Sequence, residues 1–167
     1  MAVHEHKEKA PAKVNVMVIT VSDTRDEKTD QSGQLIKEML SGAGHRITGY
    51  HIVKDEPTEI DTLLRGALAR EGLEAIILNG GTGIAPRDGT YEVVDRLFQK
   101  KLDGFGEIFR FLSYQDIGPA AIMSRACAGI CGNKVMISLP GSRGAVQLAM
   151  ERLVLPELGH MVSQLRG

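Results

Sequence analysis

The chain is 167 residues long, 43% hydrophobic and 25% charged, with a formal net charge of −1. At that length one domain buries on the order of 70% of the surface its unfolded chain exposes, so the core needs no disulfide or metal staple. The charge balance gives neither nucleic acid nor an anionic membrane a long-range attraction, and no apolar run reaches the ~20 residues of a membrane span.

Residues 1–13 read as a lead-in, with His4 and His6 set among lysines and glutamates and nothing like a signal peptide, so a cytoplasmic protein with one domain over 14–167 is expected. Residues 14–21, rich in Val, Ile and Met and free of charge, predict a parallel strand buried on both faces. Ser22-Asp23-Thr24-Arg25 follows at its carboxyl end, where short polar side chains either bond nearby backbone N–H groups or meet a ligand. Leu35, Ile36, Met39 and Leu40 carry a helical period that stops at Gly42 and Gly44. Residues 46–53 predict a second, less buried strand, ended by Lys54-Asp55-Glu56-Pro57. Ile60, Leu63, Leu64, Ala67 and Leu68 then share one face of a helix over 58–70.

Ala75-Ile76-Ile77-Leu78 is a short β-prone run that empties into Asn79-Gly80-Gly81-Thr82-Gly83, a glycine loop at the carboxyl end of a strand, where α/β sheets bind ligands. Gly80, Gly81 and Gly83 lack a Cβ, so backbone N–H groups can converge on an anion; a tight strand-to-helix turn accounts for the same residues. The loop has neither the Gly-Lys-Ser/Thr of a Walker A motif nor Gly-x-Gly-x-x-Gly. Asp88 is either the cap of a helix that begins near Thr90 or one side of a Mg²⁺-bridged phosphate, with Arg87 as a further counter-charge. If the second strand runs parallel to the first, Asp23, Asp55 and Asp88 project from one rim, where three carboxylates must share a cation or stay solvated.

A helix is expected over 90–100, with Glu92 in its first turn and Val93, Val94, Leu97 and Phe98 buried. Residues 104–113 hold three of the four phenylalanines, which serve the core, a ligand wall or a subunit contact. Residues 126–130 and 135–139 pair as a hairpin about Gly132-Asn133, an antiparallel edge on a mostly parallel sheet. Cys127 and Cys131 fit neither a Cys-x-x-Cys nor a zinc spacing and read as small buried hydrophobes. After Leu139-Pro140-Gly141, Ser142 caps a helix running through Val146, Met150, Leu153 and Val154, and its first turn offers free N–H groups to an anion.

Taken in order, Thr20-Val21-Ser22-Asp23, Ser32-Gly33, Ile52-Val53-Lys54-Asp55-Glu56, Gly80-Gly81-Thr82-Gly83, Pro86-Arg87-Asp88-Gly89-Thr90, Ser124-Arg125-Ala126, Ala128-Gly129-Ile130 and Leu139-Pro140-Gly141-Ser142 resemble the molybdenum cofactor biosynthesis proteins of the MoaB/MogA type, which include the amino-terminal domain of gephyrin. The likeness spans roughly 13–165, and the segment from Gly104 to Gln115 resembles the MoaB branch.

The resemblance implies a three-layer α/β/α fold and Mg²⁺-dependent adenylylation of molybdopterin by ATP, giving adenylyl-molybdopterin and pyrophosphate. It implies that Asp55 and Asp88 bind Mg²⁺ and orient the nucleotide, that Gly80, Gly81, Thr82, Gly83, Arg87 and Thr90 hold phosphate, and that Ser22, Asp23 and Ser142 line the pterin end. It implies self-association as well, to a trimer or, in the MoaB branch, a hexamer; the Phe105–Phe111 stretch is the candidate for the added contact. Two positions depart from the adenylylating pattern: Tyr91 follows Thr90 where proline is expected, and Lys54 precedes Asp55 where proline is common. Neither removes a carboxylate. The alternative is an oligomer that holds molybdopterin without converting it.

Overall fold

The computed structural model describes Pro11 and residues 13–166; apart from Pro11 and Lys13, the lead-in with its His4 and His6 lies outside the described residues. Six strands form one sheet: β1 (Asn15–Val21), β2 (Arg46–Val53), β3 (Ala75–Asn79), β4 (Lys100–Lys101), β5 (Cys127–Cys131) and β6 (Lys134–Leu139), in the spatial order β2-β1-β3-β6-β5-β4. β2, β1, β3 and β6 are parallel, and β5 runs antiparallel to both β6 and β4.

The strand sequences dictate two buried faces. Val16 and Val18 of β1 and Ala75 and Ile77 of β3 point to one side, while Met17, Ile19, Val21, Ile76 and Leu78 point to the other. Helices α1 (Gln31–Gly42), α2 (Pro57–Leu68), α3 (Thr90–Leu97), α4 (Asp103–Ile117), α5 (Arg143–Ala149) and α6 (Leu155–Leu165) divide between them. Ile36 and Leu40 of α1, Phe109 of α4, Val146 of α5 and Leu158 of α6 pack on the first face; Ile60 and Leu64 of α2 and Val93 and Val94 of α3 pack on the second. The result is the three-layer α/β/α arrangement that the resemblance implies.

From β1 the chain steps outward to β2 through α1, then crosses back over β1 to β3 through α2 on the opposite face. The sheet therefore reverses its winding between β1 and β3, and a crevice opens beyond their carboxyl ends.

Three features refine or depart from expectation. The helix expected to reach Lys100 ends at Leu97, because Phe98 turns extended (φ −66°, ψ 125°) and lies against Gly129, whose absent Cβ would sit 2.5 Å from the Phe98 ring. The next residues then hydrogen-bond along β5, Gln99 N–H donating to Ile130 O at 2.8 Å, and Lys100–Lys101 becomes an edge strand. The phenylalanine-rich segment is a helix whose two faces part company: Phe109 is 1% exposed and Phe111 62%. Finally, the last helical stretch is interrupted by a π-helical turn over Met150–Val154, where the expected single period slips.

Candidate functional site

Three loops meet at the carboxyl ends of β1, β3 and β6. Gly80 N–H donates to Leu139 O at 3.0 Å, and Gly80 takes φ +99° against β1, where a Cβ would lie 2.2 Å from Val21 O. Gly141 packs on Gly80 from the β6 side. Between these loops and α4 lies a cleft of about 500 Å³. Ser22, the loop from Gly80 to Gly83, Asp88 and Ser142 line it; Asp23, Asp55, Arg87 and Thr90 stand behind or outside its wall. Ser142 also caps α5, its Oγ accepting from Ala145 N–H at 3.3 Å.

The polarity of the glycine loop follows from where its carbonyls go. Gly81 O accepts Thr90 N–H at 3.1 Å, Thr82 O accepts Arg125 Nε at 3.0 Å, and Gly83 O accepts Arg125 Nη2. The N–H groups of Gly81, Thr82, Gly83 and Ile84 donate to no acceptor among the described residues. A run of unpaired amides with satisfied carbonyls is a concavity of positive potential, the kind of backbone nest that accepts an anion.

Carboxylates press on this nest. A Cβ at Gly81 (φ +66°) would lie 2.0 Å from Thr90 Oγ1 and 2.8 Å from Asp55 Oδ2, and a Cβ at Gly83 would lie 2.4 Å from Asp88 Oδ2. The glycines are required because oxygens already occupy the positions of their side chains. Asp55 is 6% exposed, and burial pushes its carboxyl above the ordinary value, opposed by the Gly89 N–H bond at 3.1 Å and reinforced by the charges of Asp88 and Asp23. Thr90 Oγ1 is buried with no hydrogen-bond partner. Asp88 is held by Ala85 N–H at 3.1 Å, so it closes its own loop and does not cap α3 through its side chain.

Arg87 turns away from the cleft. Its Nε and Nη2 bond Asp23 at 2.9 and 3.1 Å and its Nη1 bonds Glu56 at 2.5 Å. That guanidinium, with the Asp55 N–H, holds the Asp23 carboxyl below its usual range, and the two carboxylates keep Arg87 firmly protonated. The three aspartates do share one rim, as the parallel pairing of β1 and β2 requires, with Asp55 N–H donating to Asp23 Oδ1 at 3.1 Å.

Other residues at the site carry no strong local signal in the sequence. Arg125, besides bracing the loop, pairs with Glu92 and lies over the Tyr91 ring at 4.9 Å, tying the loop to the first turn of α3. Asp30, 1% exposed, caps α1 through Gly33 N–H at 2.9 Å and accepts from Thr20 Oγ1 at 2.6 Å and Tyr50 O–H at 2.5 Å. Ser32 Oγ reaches Gly141 O at 2.8 Å. A capping pattern of Asp30 followed by Ser32-Gly33 is the only sequence trace of that group.

Fold and site define a three-layer α/β/α protein with a polar cleft at the switch point of a mostly parallel sheet. Residues 17–160 match the family described as "Probable molybdopterin binding domain". The chain is 53% identical over 166 residues to molybdenum cofactor biosynthesis protein B of Halalkalibacterium halodurans, covering 99% of this chain and 98% of that one. A crystal structure of a molybdenum cofactor biosynthesis protein B superposes with a TM-score of 0.91 at 49% identity, covering 94% of this chain and 98% of that one. The tungsten cofactor synthesizing protein MoaB from Pyrococcus furiosus superposes with a TM-score of 0.85 at 38% identity, covering 95% and 100%. The chain belongs to the MoaB/MogA family of molybdenum cofactor biosynthesis proteins.

Proposed function

We propose that the protein adenylylates molybdopterin with Mg-ATP. The observation that supports this most directly is the placement of Asp55 and Asp88 against the glycines of an amide nest. Carboxylates there repel the anion that the nest attracts, and a divalent cation between them reconciles the two. Among the described residues no three acidic, histidine or cysteine side chains gather as a metal cluster. That suits Mg²⁺, which takes one or two carboxylates and completes its shell with phosphate oxygens and water. Asp55 and Asp88 would hold it, with the unpartnered Thr90 Oγ1 converging on the same place. Bound there, Mg²⁺ would supply neutralising charge to the phosphoryl oxygens.

The chain's own part is positioning. An oxygen of the molybdopterin phosphate attacks the α-phosphorus of ATP, the bond from that phosphorus to the bridging oxygen of the β-phosphate breaks, and pyrophosphate leaves with the electron pair. The nucleophile is already anionic, so no general base is needed; the work lies in holding two polyanions in line. The amides of residues 81–84 fit that work, and Ser22 and Ser142 fit the pterin end of the cleft.

We assign the expected self-association to exposed apolar side chains of α4 and of the turn that follows it, Phe111 and Ile122 among them, against a second copy of the chain.

The deciding measurement is pyrophosphate release from Mg-ATP with molybdopterin supplied, for this protein and its Asp88→Asn variant. Release that requires molybdopterin and falls at least about a hundredfold, ~2.7 kcal/mol of transition-state stabilisation, supports the reading. Bound molybdopterin with no release replaces it with a non-catalytic binding protein.

A further inference from the structure

We infer that Arg25 is the cation that binds the phosphate of the ligand in the cleft, the part the sequence assigns to Arg87. The inference rests on the proposed function for the identity of the ligand and adds the counter-charge that this function needs.

Of the described residues that line the cleft, Arg25 alone is cationic and Asp88 alone anionic. Arg87 lines no part of it, and three of its donors are committed to Asp23 and Glu56. A cation already shared by two carboxylates offers little to a third anion. Arg25 is placed differently. Its Nη2 donates to Gly141 O at 3.1 Å and its Nη1 stands 3.9 Å from Asp30 Oδ1, while a third of its side chain remains exposed. Apart from that bond to Gly141 and the longer approach to Asp30, the five N–H donors of Arg25 make no hydrogen bond among the described residues.

The support beneath Arg25 is rigid. The Asp30 side chain is fully buried and fixed by Thr20, Tyr50 and Gly33, and Arg25's own N–H is held by Ser22 Oγ at 3.0 Å. An arginine oriented in advance loses little freedom when it takes a ligand. Gly141 sets its distance from the nest: the Cβ position of Gly141 is 3.2 Å from Gly80 Cα and 3.8 Å from Arg25 Nη1. The guanidinium thus stands one glycine away from the loop whose amides are unpaired. Nest and cation together present donors to one phosphate from two sides, and the planar fork of an arginine matches that group.

The test is the dissociation constant for molybdopterin, measured without nucleotide from the fluorescence of its ring. Arg25→Gln should weaken binding at least about tenfold, the loss of a hydrogen bond to a charged group, and make the remaining affinity less sensitive to salt. Arg87→Gln should lose less. A second readout uses the unaltered protein: phenylglyoxal should modify Arg25 in the free protein, and saturating molybdopterin should protect it. An Arg25→Gln variant within about twofold of the parent, a larger loss in Arg87→Gln, or no protection of Arg25 overturns the inference, the footprint deciding should Arg25→Gln fail to fold. A protein that binds molybdopterin through Arg25 yet releases no pyrophosphate removes the adenylyltransferase reading and leaves this one standing; a parent protein that binds no molybdopterin removes both.

Discussion

The Asp55 carboxylate accepts the Gly89 N–H at 3.1 Å, joining the end of β2 to the residue before α3 across 34 positions of sequence. The bond holds a buried acid beside the glycine loop, where burial and the charges of Asp88 and Asp23 raise its carboxyl above the ordinary value. Retaining a charge in such a place costs the fold something, and Asp55→Asn, which keeps an oxygen for Gly89, should reveal how much. With the folded value raised, the native state is favoured while the acid is protonated and loses that advantage as pH climbs through the folded value. The variant should therefore be more stable than the parent at pH 7, and the difference should shrink to nothing below the unfolded value of 3.8. Urea unfolding at several pH values measures this, and pyrophosphate release should be lost in the same variant.

Gly81 has no tolerance for a side chain, since it combines φ +66° with oxygens of Thr90 and Asp55 in the place of its Cβ. Gly81→Ala should destabilise by about 2 kcal/mol or more, from backbone strain and displaced neighbours together. Gly132 has a similar φ of +61° and open space around it. Gly132→Asn should cost under about 1 kcal/mol, because asparagine adopts this conformation readily. Equal losses in thermal unfolding would show that backbone strain alone accounts for both.

His45 gives the fold a dependence on pH from the opposite end of β2. Its Nδ1 accepts the Val14 N–H at 3.1 Å, and burial lowers its proton affinity below the ordinary 6.5. The unfolded ring binds a proton that the folded ring refuses, so stability is complete above pH 6.5 and falls as pH drops toward the folded value. Between pH 7.5 and 5.5, His45→Gln should unfold with a flatter pH dependence than the parent; parallel curves would remove the assignment.

Phe109 and Phe111 separate packing from association. Phe109→Ser opens the core and should cost about 3–5 kcal/mol. Phe111→Ser combined with Ile122→Ser touches exposed side chains, 62% and 82% accessible, and should lower the sedimentation mass while moving the unfolding midpoint only by what association contributes, far less than Phe109→Ser. An unchanged mass would move the contact elsewhere.

What could be read from the sequence is what short-range pattern encodes. β1 and β3 announce themselves as unbroken apolar runs, and the glycine loop with Asp55 and Asp88 follows them at predictable places because parallel strands deliver their carboxyl ends to one rim. The braces could not be read. Arg25 meets Gly141 across 116 positions and Arg125 meets Thr82 across 43, and no local period marks such pairs. Arg87 and Arg25 are both arginines in loops on the same rim; only the ion pairs to Asp23 and Glu56 turn one of them outward. β4 is not legible in the sequence because two lysines carry no strand signal, and it exists through hydrogen bonds to β5.

That two-residue strand has a consequence for how copies of the chain can meet. It is the last strand on its side of the sheet, and both its side chains are exposed lysines, one of them paired with Asp95 at 2.7 Å. An approaching strand would find almost no backbone to pair with and would have to bury or displace ammonium groups to reach it. Growth of the sheet by adding strands is blocked at this edge, so a strand from another chain has backbone to pair with only on the opposite side, along the eight residues of β2.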